Sequence, residues 1–162
     1  MATTDTWRGL GRTLTSGLAG AAALTAVHET ARRTLAHPPR MDAIGMRALA
    51  RTMRRVGVQP PRQRRLFRET LAADLLSNAL YYSLVGLGER AWRRGALLGA
   101  AAGVGAVVLP PLLGLGRQPN ASRVETPALT LAWYLIGGLA AAATARALAR
   151  REDDVDRWAE SL

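Results

Sequence analysis

Two stretches of this chain hold no charged residue over a length that is hard to hide in a soluble fold. Residues 95–116 are 22 uncharged positions and residues 126–145 are 20. As α-helix, either one crosses a hydrocarbon core of about 30 Å. Backbone N–H and C=O groups must be satisfied within the segment in lipid, so helix is the form these runs can take there. Two weaker runs precede them. Residues 70–88 hold a single charge, Asp74, and residues 13–27 are uncharged but end in His28-Glu29. The first run spans only if its helix continues to about residue 31. A cleaved signal peptide is the alternative for it, but His28 and Glu29 interrupt the place where a small-x-small cleavage site would follow.

The expectation is therefore an all-α polytopic membrane protein, one membrane domain over residues 1–162. It is a four-transmembrane-helix bundle with spans at about 13–31, 70–88, 95–116 and 126–145 and one interfacial amphipathic helix. Residues 32–68 form a basic loop and residues 146–162 a charged C-terminal tail. The small-residue runs at 20–23 and 140–143 suit close helix packing in a bilayer.

Charge enters at this point. All 22 cations are Arg, against 12 Asp and Glu, for a net charge of +10. A pI near 11.6 first suggests nucleic acid. Yet eleven of the arginines lie in residues 32–68, and that loop has one aromatic residue, Phe67. Stacking on single strands is unsupported, and nucleic acid is an unlikely partner. Within the loop, His37-Pro38-Pro39 and Gln59-Pro60-Pro61 break helix. Between them, residues 41–56 place Arg47, Arg51, Arg54 and Arg55 within an arc of about 100°. Met41, Ile44, Ala48, Leu49, Met53 and Val56 fall on the remainder. This predicts a helix lying in the headgroup region with those arginines towards anionic lipid, the partner the loop is built for. Arg32, Arg33 and Arg40 join them as candidate anion or headgroup ligands.

Placing the basic loop in the cytoplasm puts thirteen arginines inside and nine outside, a small bias that leaves the reverse orientation and dual insertion open. The Arg-only, Ala-rich composition fits a GC-rich genome, and the expected location is a bacterial inner membrane. There is no Cys, which excludes a disulfide scaffold, a thiolate metal site and a Cys nucleophile.

Gly95, Gly99 and Gly103 recur every fourth residue on one helix stripe, which lets two backbones approach closely. The partner is another span or a second copy, so a homo-oligomer through this stripe is an expectation. Pro110-Pro111 should kink or end that helix. Similar Gly/Ala strings near 17 and 95, and Glu-Thr at the start of two spans, suggest two parallel repeats of a helical hairpin.

Alternating spans bring the end of the first, the start of the second, the end of the third and the start of the fourth to one membrane face. His28, Glu29, Asp74 and Glu125 then converge on it, with Asp42 of the loop on the same side. Thr70, Asp74, Ser77, Asn78 and Tyr81 share an arc of about 100°, and a lipid-facing helix would not carry Asp on that stripe, since a central Asp costs about 3 kcal/mol. The predicted polar intramembrane site is His28, Glu29, Asp74, Ser77, Asn78, Tyr81 and Glu125. Such residues mark a functional site by default.

The local alternatives are plain. Glu29 can pair with Arg32 and Arg33, Glu125 can be a helix-start acid, and Asp74 and Asn78 can be packing contacts.

Three functions compete. The first is transport or permeation of a small solute or ion through this site. The second is an enzyme acting on a lipid-like or phosphorylated substrate, with a divalent metal on His28, Glu29 and Asp74. The third is an accessory subunit of a membrane complex. No His-Glu-x-x-His motif, phosphate loop or Gly-x-Ser-x-Gly elbow is present, so catalytic residues are not assigned and no cofactor beyond that metal is expected.

Overall fold

Where the chain stops being helix is decided by its prolines and glycines. The computed structural model describes residues 2–161, without the side chains of residues 2–6, 153, 155, 156, 159 and 160. The acidic tail's Asp153 and Asp156 side chains thus lie outside what is described. Five helices and no strand occur among the described residues: α1 (Ala2–Thr34), α2 (Met41–Arg55), α3 (Gln63–Ser83), α4 (Ala91–Leu112) and α5 (Glu125–Glu160).

Pro38-Pro39 separates α1 from α2, and Pro60-Pro61 separates α2 from α3. Gly86 and Gly88 follow α3 with φ of 65° and 115°, and Gly114 and Gly116 follow α4 with φ of 69° and 75°. Those angles disfavour any residue with a Cβ. The predicted segments 70–88 and 95–116 therefore overrun their helices by five and four residues. Pro110 and Pro111 sit in the last turn of α4, which ends one residue later.

Four long helices run up and down as two hairpins, α1 with α3 and α4 with α5, joined where α1 packs on α5. This is the pairing that two repeated hairpins would have. Among the described residues two helices are long and apolar enough to cross a membrane, Ala91–Leu112 and the Glu125–Glu152 part of α5. The other two fall short. Arg12 and the His28-Glu29 pair bound the apolar part of α1, and Asp74 divides that of α3.

The glycine stripe finds its partner inside the chain. Gly95, Gly99 and Gly103 are buried. A Cβ on Gly95 would run into the Gly138 carbonyl, and one on Gly99 would lie 2.8 Å from the Tyr134 carbonyl. Of the two partners expected for this stripe, another span fills it within the chain: α5. Gly17 makes the equivalent approach to α3, at Ala79 and Ser83.

Helix α2 forms as its periodicity predicts, with Ile44 and Ala50 buried and Gly45 against Thr70 of α3. Two of its arginines also have partners within the chain. Arg47 donates to the carbonyls of Leu115 and Arg117, and Arg51 to those of Leu113 and Gly114. Carbonyls just past a helix end lack intrahelical donors, and a guanidinium can satisfy two at once. Arg47 and Arg51 are thus latches on the end of α4; Arg54 and Arg55 are exposed farther along α2. Across the same end, the Arg40 amide donates to Gln118 Oε1 at 2.9 Å.

Candidate functional site

At the basic end, α1, α2 and α3 enclose a cavity of about 60 Å³. Its polar wall comes from Thr25, His28 and Glu29 of α1, Asp42 of α2, and Thr70 and Asp74 of α3. Helix phase explains the set: Thr25 and His28 are three apart on α1, Thr70 and Asp74 four apart on α3, so each pair shares a face.

Two polar atoms on this wall are buried without a protein partner, His28 Nε2 and Thr70 Oγ1. Thr70 is only 7% exposed. Leaving a buried polar atom unpaired costs roughly 1–3 kcal/mol, so such atoms need a reason. The His28 ring stands edge-on to Trp133, 4.9 Å between centroids, and to Tyr134, 5.9 Å. Tyr134 is also the residue whose carbonyl meets Gly99, the ninth of the 22 residues of α4. His28 therefore lies level with the middle third of the most apolar helix. Farther from the basic end the bundle is closed by Ala21, Leu24, Tyr82 and Val85, all fully buried, with Tyr82 Oη donating to the Tyr134 carbonyl at 2.8 Å. The cavity lies on the basic side of this layer, and Arg32, Asp42 and Phe67 line both it and the neighbouring arginine-lined concavity.

The carboxylates differ in how they are held. Glu29 accepts from Arg32 Nε and from Arg33 Nε, both at 2.9 Å, on the outer side of α1. Asp42 accepts two bonds from Arg40, each at 2.8 Å. Burial works against the Asp42 charge, but the Arg40 hydrogen bonds and charge, the Ala43 amide and Arg32 outweigh it, so its carboxyl titrates below its ordinary value. Asp74 has no guanidinium partner. It is the one cavity carboxylate left without a neutralising cation.

Of the seven predicted polar residues, His28, Glu29 and Asp74 meet at the cavity. Asn78 is buried one turn along α3 and donates to the Asp74 main-chain carbonyl. Tyr81 Oη donates to the Leu98 carbonyl of α4 at 3.0 Å. Ser77 is exposed and bonds back to its own helix. Glu125 is the exposed first residue of α5 and lies outside the cavity, as a helix-start acid does. The proposed metal set is also corrected: among the described residues no three His, Asp or Glu side chains are grouped to hold an ion, because Glu29 is turned to its arginines. Thr25, Thr70 and Asp42 are site residues that the predicted set omits. Thr70 already stands on the Asp74 stripe, and Thr25 one turn before His28.

Comparison adds no relative. The chain matches no protein family, no curated protein and no solved structure.

Proposed function

We propose that this is a small integral membrane protein whose four long helices all cross the bilayer, and that it moves protons or a small cation through the His28–Thr70–Asp74 pocket. A bacterial inner membrane, with the basic end at anionic headgroups, is the setting we assign. Beyond α4 and α5, support for four spans comes from the outer faces of α1 and α3. Leu10, Leu14 and Leu18 are exposed on α1, and Leu76 and Leu80 on α3, with Leu84 just past its end. Each set is spaced by four, which makes a continuous apolar ridge. Leu97, Val104 and Val108 continue the surface on α4, and Ile136 and Leu139 on α5. Exposed apolar surface of this extent mismatches water and suits lipid.

The observation that carries the transport reading is the pocket itself. It joins an unpaired carboxylate to two unpartnered buried polar atoms at mid-bundle depth. The hydroxyl oxygens and the carboxylate can all accept, so the wall suits a proton or cation. Loss or gain of that positive charge changes the cost of holding Asp74 away from water, which is how intramembrane carboxylates drive conformational exchange. Among the described residues no three His, Asp or Glu side chains group to hold the metal that the enzyme reading calls for.

The test is flux in proteoliposomes, read with an internal pH dye and with rubidium uptake. Wild type should exceed protein-free vesicles for at least one of the two. Asp74→Asn should lower that flux tenfold or more, and Thr70→Val severalfold. Both variants should keep the thermal midpoint within a few degrees. No flux from wild type, or full flux from Asp74→Asn, would sink the proposal.

A further inference from the structure

A second concavity lies beside the first, between α2 and the opening turns of α3, with a volume of about 590 Å³. Four guanidinium groups, those of Arg32, Arg40, Arg64 and Arg68, line it against one carboxylate, Asp42. Arg64 and Arg68 make no ion pair. Arg32 and Arg40 are held in place without being used up. Arg40 spends Nε and Nη2 on Asp42, and Arg32 spends Nε and Nη2 on Glu29, which leaves Nη1 of each without a partner. Arg32 also stands over the Phe67 ring at 5.7 Å. Like charges are thus gathered into one cleft, and two of them are fixed by carboxylates that serve no other cation in it. That arrangement presents a concentrated positive field that an anion would complete.

We propose that this cleft binds a phosphate-ester group. A phosphate offers more acceptor oxygens and more negative charge than a carboxylate to guanidinium edges arriving from different elements. The cleft's position favours a headgroup source. Arg68 comes two residues before Thr70, where the apolar part of α3 begins, and Phe67 and Met46 supply an apolar wall. Arg32, Asp42 and Phe67 line both cavities, so the bound phosphate sits at the mouth of the inner pocket. This site stands whether or not the inner pocket carries flux.

The experiment uses the full chain in uncharged maltoside micelles, titrated by calorimetry and native mass spectrometry with phosphatidylglycerol and, separately, with inorganic phosphate. One saturable site is expected for at least one probe. Arg64→Gln/Arg68→Gln should weaken it tenfold or more. Arg90→Gln/Arg93→Gln removes the same charge from exposed positions outside the cleft and should leave it within twofold. Neither pair breaks an ion pair, so thermal midpoints should be unchanged. Saturation by phosphatidylglycerol alone assigns a lipid headgroup, and saturation by inorganic phosphate as well assigns a free phosphate. Absence of saturable binding of both probes, or equal loss from the two charge-matched pairs, overturns the proposal.

Discussion

Asp42 and Asp74 face one cavity, and their neighbours give them different work. Asp42 is clamped by Arg40 and capped by the Ala43 amide, which makes it a fixed negative charge. Asp74 has no cation beside it and is free to take one. The clamp has a consequence for stability that can be signed. The folded state holds the Asp42 carboxyl below its ordinary value, so the unfolded chain takes up a proton first as pH falls. The stabilisation is present above the ordinary value, near 4, and is lost as pH falls through the lower folded value. The pair is partly exposed, so its worth at pH 7 is about 0.5–1 kcal/mol. Asp42→Asn should lower the thermal midpoint at pH 7 by a few degrees and flatten its decline between pH 5 and 3. Parallel pH profiles for the two proteins would show that the clamp does not act on folding.

At the scale of elements, glycine decides which helices touch. Gly138 of α5 and Gly95 of α4 meet backbone to backbone. A methyl on Gly138 would push the two helices apart along the whole stripe. Gly138→Ala should therefore destabilise the protein by about 1–3 kcal/mol in a thermal or denaturant melt. Gly105 has only Leu109 of its own helix nearby, at 3.3 Å, so Gly105→Ala should be neutral or stabilising by up to about 1 kcal/mol. Equal effects from the two would remove close approach as the cause.

The stripe shows how far sequence carries at this scale. Spacing by four reveals a packing face, but nothing in α4 says whether α5 or another molecule fills it. In α2 the face was legible and the purpose of its arginines was not. Arg47 and Arg51 share an arc with Arg54 and Arg55, yet only the first two stand where the chain after α4 presents its free carbonyls. The site divides the same way. Asp74 was legible from the polar stripe on its helix, and His28 from the alternation of helix directions that brings the end of α1 to the start of α3. Glu29 reaches the cavity wall but is held by its i,i+3/i+4 ion pairs, and Glu125 stands outside it, because an ion pair or a helix start satisfies an acid locally.

For the whole molecule the open quantity is how many helices cross. Length and apolarity single out α4 and α5, and the leucine ridges argue for α1 and α3 as well. The two arrangements differ in one simple respect. With four spans, the α2–α3 turn and the α3–α4 turn lie on opposite sides of the membrane. With two, everything before Ala91 lies on one side. The chain has no cysteine, so single cysteines report without background. Val58, exposed in the first turn, and Glu89, exposed in the second, are both outside helices. In sealed vesicles, a membrane-impermeant maleimide should label Val58→Cys or Glu89→Cys but not both, until detergent opens the other side. Leu18→Cys and Leu76→Cys should resist it under either condition of sidedness, because lipid covers the ridges they stand on. Labelling of residues 58 and 89 from the same side, together with ready labelling at Leu76→Cys, would reduce the protein to a two-span anchor carrying a water-exposed hairpin. The pocket would then lie outside the bilayer, and the case for flux through Asp74 would fall with the four-span arrangement.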